Sequence, residues 1–328
     1  MKTRMLGPLR VSSIGLGLWQ LGSPSWGTRN LSNAVDIIRE AIEHNINFFD
    51  TAEVYGWGKS EKLLGDALKE LRVGDDVIIA TKIAGFRSTP YFIRKAAQAS
   101  KRRLSRTPDL IQYHWPPPYH TPLCKALRGL EKLIDEGLTH YIGLSNFDSK
   151  LLARSLSCFH KHEPISLQIQ YNLAYRAPEN ILLPMAKEKG LTIIAWSPVA
   201  KGALAGARKA TTRAQKTDKL FKIASSDKKL QSALRSVAEK YNVTLSQVSL
   251  AWLIAKNALP IPGTRRKERI IEYSNAMDLS LTREDIQLLD EASKSYVTRW
   301  GKDYNLLQWL RLVPSPIQYL FIRATGGV

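Results

Sequence analysis

A chain of 328 residues with 44% hydrophobic content is enough for one large core or two smaller ones. Its 48 Lys and Arg against 29 Asp and Glu give a formal charge of +19. The basic residues fall in separate clusters (Lys101 to Arg106, Arg208 to Lys222, Arg265 to Arg269) with no accompanying nucleic-acid reading motif, which argues against nucleic acid as a partner. Only Cys124 and Cys158 are present, so a disulfide framework is not expected and a reducing compartment is the simpler reading. No apolar stretch approaches the roughly 20 residues that span a bilayer, and the N-terminus has no signal-like apolar segment. Stable membrane insertion is therefore not expected, and a cytoplasmic location is.

In chain order, Thr3 to Val11 reads as a short hairpin, and Ile14 to Trp19 as the first of eight strand-like runs. Leu31, Ala34, Val35, Ile38, Ala41 and Ile42 follow at helical spacing. Next come Ile46 to Asp50, a helix marked by Leu63, Leu64, Ala67, Leu68 and Leu71, then Asp76 to Lys82 and Asp109 to His114. Leu123, Ala126, Leu127, Leu130, Leu133 and Ile134 mark another helix. The remaining strand candidates are His140 to Leu144, Leu167 to Tyr171, Leu191 to Trp196 and Leu259 to Pro262. Ala203 to Asp227 reads as a long basic interruption of the functional-lid or disordered kind. Alternating strands and helices specify a (β/α)8 TIM barrel. No linker composition divides the chain, so 1-328 is read as a single domain, with the barrel over about 11-295 after its hairpin. A C-terminal helical or loop extension takes up about 296-328. In that extension, one reading has Trp300 or Tyr304 reaching the substrate; the alternative is a helix, Leu306 to Leu312, docked on the barrel wall and followed by a loose end; an amphipathic basic surface for membrane or self-association is a third reading.

Asp50, Tyr55, Lys82 and His114 sit at or just past three strand ends, where a parallel barrel gathers its reacting groups. A phenol titrates near pH ~10, so Tyr55 needs a neighbouring cation to serve as a general acid. Lys82 would be that cation, Asp50 its partner, and His114 the hydrogen-bonding group for a carbonyl oxygen. These roles fit a carbonyl that receives a hydride and a proton. Aromatic side chains near these ends, Trp19, Trp57 and Trp115 with Trp26 or Phe86 beside them, suit an apolar mouth for aldehydes or ketones; Trp57 and Trp115 are favoured because they adjoin Tyr55 and His114.

The segments GLGLW, FFDTAEVYGWGKSEKLLGDAL, ATK ending at Lys82, QYHW, IGLSNF, QIQYN, WSPVAKGAL and PIPGTRRKER occur in an order that resembles the aldo-keto reductase family over nearly all of the chain up to about Ser295. The resemblance implies a barrel, NADPH-dependent carbonyl reduction and the same Asp50, Tyr55, Lys82, His114 tetrad. It also implies that Ser145, Asn146 and Gln170 bind the nicotinamide carboxamide and that Trp196 stacks on the ring. By the same implication, cofactor contacts extend over Ser197, Pro198, Gly202, Leu204, Gly263, Thr264, Arg265, Arg269 and Glu272. The glycine-rich segments Val199 to Gly206 and Pro262 to Arg265 can offer backbone N-H groups to phosphates. Thr264, Arg265, Arg266 and Arg269 would read a 2'-phosphate, which favours NADP over NAD. The family usually follows this segment with a Glu-Asn pair at the adenine, whereas here Glu272 is followed by Tyr273, and an asparagine comes only at Asn275. The expected activity is reduction of a small-molecule aldehyde or ketone. An alternative is an NADP-binding regulatory protein that works through a partner, as the potassium-channel beta subunits of that family do. Oligomeric state is not read from the sequence.

Overall fold

Glycines close the barrel. The computed structural model describes residues 2–26 and 30–324, so Met1 and the last four residues of the expected extension lie outside them. An antiparallel hairpin, β1 (Thr3–Leu6) and β2 (Leu9–Ser12), precedes eight parallel strands. These are β3 (Leu16–Gly17), β4 (Phe48–Asp50), β5 (Ile78–Ile83), β6 (Leu110–Tyr113), β7 (Tyr141–Ser145), β8 (Ser166–Gln170), β9 (Thr192–Trp196) and β10 (Ala258–Pro260). They pair in sequence order, and the sheet closes where Gly15 N donates to Pro260 O and Gly17 N to Pro262 O, each at 3.0 Å. A Cβ on Gly15 would lie 2.4 Å from the Phe48 ring, and one on Gly17 would lie 2.8 Å from Ile261 O. Backbone can approach backbone at this seam only without side chains.

The hairpin plugs the N-terminal end, where Leu6 and Val11 pack with Phe48, Ala80 and Leu110. Helices wrap the outside because their apolar positions recur on one face. Helix Leu31–Glu43 buries Ala34, Val35, Ile37, Ile38 and Ala41, and the side chain of Asn30 caps its start by accepting from Asn33 N. Each such large aliphatic contributes about 1.5–3 kcal/mol on burial. Helix Lys59–Glu70 buries Leu63, Leu64, Ala67 and Leu68, and helix Leu123–Asp135 buries Ala126, Leu127, Leu130 and Leu133, while Leu71, Leu123 and Ile134 of the series read from the sequence are half-buried.

Three expectations are corrected. Ala203 to Asp227 is not an open loop: a 3-10 segment Ala200–Ala205 leads to helices Arg213–Lys216 and Lys219–Ser226, capped by Thr212 and Asp218. The extension holds a 3-10 turn Gln308–Leu312 and then a helix Ser315–Ala324 where a loose end was expected. Pro316 sits in that helix's first turn, where a proline ring is at home. Finally, Cys124 and Cys158 are joined in a disulfide with Cα atoms 4.8 Å apart. Cys124 lies in the first turn of helix Leu123–Asp135 and Cys158 follows helix Ser149–Leu156, so packing of neighbouring barrel helices closes a separation of 34 residues. The thiols therefore give no ground for a reducing compartment. No helix among the described residues is long and apolar enough to cross a membrane.

Candidate active site

Adjacent parallel strands put their C-terminal ends side by side, and the tetrad collects there. Asp50 ends β4, Lys82 lies in β5, His114 follows β6, and Tyr55 sits in the turn after β4. Lys82 Nζ donates to Asp50 Oδ1 at 2.5 Å, to Thr51 O at 2.8 Å and to the Tyr55 hydroxyl at 3.3 Å. All three ammonium hydrogens therefore have acceptors, and both members of the ion pair are buried. Asp50 Oδ2 accepts from Gln168 Nε2 at 2.8 Å and Gln112 Nε2 at 3.3 Å. These glutamines are missing from the sequence-based set. Their signal was available as polar residues inside strands otherwise filled with apolar side chains.

Burial pushes the Tyr55 phenol up; the Lys82 charge pulls it down, and the Asp50 charge raises it again. The net direction is upward, so at neutral pH Tyr55 keeps its proton. Burial works against the Lys82 ammonium, but Asp50 and Tyr55 outweigh it and hold the group above its ordinary value. His114 is pushed well below the ordinary imidazole value, first by burial and then by Lys82, and is neutral. Its ring meets Tyr55 edge to face with centroids 5.6 Å apart, and its Nδ1 is buried without a hydrogen-bond partner among the described residues. A neutral imidazole and a protonated phenol beside a fixed cation can hydrogen-bond a carbonyl oxygen and give it a proton.

A cavity of about 620 Å3 opens over Tyr55 and His114 and runs to the arginines after β10. Trp19, Trp26 and Leu307 line it, with Trp19 and Trp26 edge to face at 5.5 Å. Asn146, Trp196, Ser197, Pro198, Gly202, Gly263, Thr264, Arg265, Arg266 and Arg269 also face it, whereas Ser145, Gln170, Leu204 and Glu272 do not. Asn146 Nδ2 donates to His114 O at 2.8 Å and to Ser145 Oγ at 3.0 Å, which places Ser145 behind Asn146. The Gln170 N-H donates to the Tyr304 hydroxyl. Leu204 is in the core, and Glu272 is bound to Arg269 and Thr244. Tyr273 lines the basic end and donates to Gly263 O at 3.2 Å, occupying the position where an asparagine was the family expectation.

Of the aromatic residues expected at the mouth, Trp57 and Trp115 do not line the cavity. Trp115 Nε1 donates to Gln318 Oε1 at 3.0 Å, and Trp57 meets Tyr319 edge to face at 5.4 Å. The C-terminal helix covers both, and nothing local in the sequence announces that cover. Trp300 is likewise turned away, donating to Ala174 O at 2.9 Å, and Tyr304 reaches Asn146 rather than open space.

The wall has two chemical ends that fit a dinucleotide. One is aromatic and carries buried polar atoms without partners, Trp19 Nε1, His114 Nδ1 and Ser197 Oγ among them; the other carries Arg265, Arg266 and Arg269. Along the same wall, Ser197, Lys201 and Gly202 have positive φ, as does Ala200 beside them. Left-handed backbone costs roughly 1–3 kcal/mol at each non-glycine position and persists where function holds it.

A parallel barrel with a Tyr-Lys-Asp cluster at the C-terminal mouth of its strands, beside a cleft of this kind, has the form of a barrel oxidoreductase. The chain belongs to the aldo/keto reductase family, whose profile matches residues 13–294. It is 33% identical over 302 residues to an uncharacterized oxidoreductase of Mycobacterium tuberculosis, a match covering 88% of this chain and 91% of that protein. It is 31% identical over 323 residues to versiconal hemiacetal acetate reductase of Aspergillus parasiticus, covering 86% and 94%. Among solved structures, an aldo-keto reductase from Klebsiella pneumoniae in complex with NADPH superposes with a TM-score of 0.75 at 27% identity, covering 92% of this chain and 98% of that one.

Proposed function

We propose that this oxidoreductase reduces aldehydes or ketones to alcohols with NADPH, and that Tyr55 is the proton donor. The observation that carries the reading is the Tyr55 hydroxyl on the cavity wall, 3.3 Å from a buried Lys82 that is itself paired with Asp50. The bound nicotinamide would supply the hydride to the carbonyl carbon. Tyr55 gives its proton to the carbonyl oxygen as the C=O bond becomes C-O-H, and Lys82 holds the phenolate left behind until solvent returns a proton. His114, kept neutral, hydrogen-bonds the same oxygen and fixes the carbonyl's approach. Asp50 keeps Lys82 charged. Trp196 would lie against the nicotinamide ring with Asn146 at its carboxamide, and Arg265, Arg266 and Arg269 would take the 2'-phosphate. The NADPH in the Klebsiella pneumoniae structure and the basic end of this cavity support that cofactor over NADH.

The test is NADPH oxidation, followed by absorbance, across a panel of aromatic aldehydes. Tyr55→Phe is expected to lower kcat by about 10²–10⁴-fold while NADPH still binds, as judged by quenching of tryptophan fluorescence. If the wild type turns over no faster than Tyr55→Phe, the catalytic reading is wrong, and cofactor binding without turnover would favour the regulatory alternative.

A further inference from the structure

We propose that the C-terminal helix Ser315–Ala324, with Trp309 and Leu312 beside it, seats this protein on an anionic lipid bilayer surface. Thirteen large apolar side chains are exposed among the described residues, and five of them fall between positions 309 and 321: Trp309, Leu312, Ile317, Leu320 and Phe321. Leu312 is 75% exposed and Leu320 62%. A surface helix ordinarily turns polar residues outward. This one is apolar on both faces, and its orientation is fixed from within. Gln318 Nε2 donates to Leu310 O at 2.7 Å and to Val313 O at 2.9 Å, its Oε1 accepts from Trp115, and Ile322 is buried in the cluster with Phe86 and Trp115. Ile317, Leu320 and Phe321 are left facing solvent. Trp309 meets Phe321 edge to face at 6.4 Å, so the turn and the helix form one patch. Tyr119, itself exposed, continues it beneath the Arg311 guanidinium at 3.9 Å.

Charge selects the occupant. From residue 304 to the end of the chain there is no Asp or Glu, and the charged residues are Arg311 and Arg323. The adjoining stretch from Tyr119 to Leu130 holds Lys125 and Arg128 and again no acid, while Asp148 and Arg154 are both close enough to Arg311 for their charges to interact with it. A second copy of this chain, itself of formal net charge +19, would bring its own Lys125, Arg128 and Arg323 to the same face, and like charge opposes that contact. An apolar patch containing Trp and Tyr and flanked by Lys and Arg matches the boundary between acyl chains and anionic headgroups. Ten residues are too few to span a bilayer, so the helix lies in the interface plane. Leu307, two residues before Trp309, lines the cavity, so the patch adjoins one wall of it in the chain.

The experiment is co-sedimentation of the full chain with vesicles of phosphatidylcholine alone and of phosphatidylcholine mixed equally with phosphatidylglycerol. The wild type should bind the mixed vesicles, and added salt should weaken that binding. Leu320→Gln/Phe321→Gln should weaken it about tenfold through lost apolar burial, and Lys125→Gln/Arg128→Gln about tenfold through lost charge. Neither double variant should shift the melting temperature by more than about a degree or two, since Leu320, Phe321 and Lys125 are exposed and Arg128 bonds only surface groups, Cys124 O and His160. Absence of binding, equal binding to neutral vesicles, or unchanged binding by Leu320→Gln/Phe321→Gln overturns the proposal. So does a wild-type dimer in analytical ultracentrifugation that the same variant dissociates, which would make the patch a self-interface.

Discussion

The phenol of Tyr304 donates to Asn146 Oδ1 at 2.5 Å, across 158 residues of sequence, and Trp196 Nε1 donates to the same oxygen at 3.1 Å. Asn146 thereby has its carboxamide orientation fixed by the C-terminal extension and by the ring proposed to stack on the cofactor.

Tyr304→Phe removes one of those two donors without changing the shape of the side chain. NADPH affinity should fall about 3–10-fold, the value of one net hydrogen bond of about 0.5–1.5 kcal/mol, with kcat less affected. A fluorescence titration against wild type measures it, and unchanged affinity would remove Tyr304 from the site.

Breaking the buried Lys82–Asp50 pair on one side leaves a largely desolvated charge without its counter-ion. Lys82→Met should cost about 3–5 kcal/mol in urea unfolding, and Lys82→Met combined with Asp50→Asn should recover most of that loss. Strictly additive costs would mean that the two charges do not compensate one another. Both variants should have lost most carbonyl reduction.

His114 gives a pH dependence of known sign. Its folded pKa lies below the unfolded value of about 6.5, so below that pH the unfolded chain takes up a proton that the fold refuses. The stability that His114 contributes is present above pH ~6.5 and is lost as pH falls, by at most about 1.4 kcal/mol per pH unit. Chemical denaturation of wild type and His114→Gln at neutral and mildly acidic pH should show a steeper loss in the wild type.

The Cys124–Cys158 link closes a 34-residue loop, and such a cross-link stabilises by about 2–4 kcal/mol, chiefly by restricting the unfolded chain. A reducing agent should lower the wild-type melting temperature by several degrees and leave Cys158→Ser unmoved. Equal behaviour of the two proteins would show that the bond carries no stability.

The primary sequence carried a great deal of this architecture, because a helix that must bury one face and a strand that must bury two leave periods that need no partner to be read. The series from Leu31 to Ile42 became helix Leu31–Glu43, and Asp109 to His114 became β6 with His114 just past its end. The juxtaposition of the tetrad was legible for the same reason: parallel strands of known order deliver their C-terminal residues to one place. What only the tertiary structure decided are contacts between segments distant in the chain. Gln318 covering Trp115 across 203 residues, Tyr304 reaching Asn146, Gln168 joining Asp50 across 118, and the two cysteines meeting at 4.8 Å leave no local period, turn signal or spacing. Periodicity fixes which face of an element is buried; only the packing of every other element fixes what it is buried against.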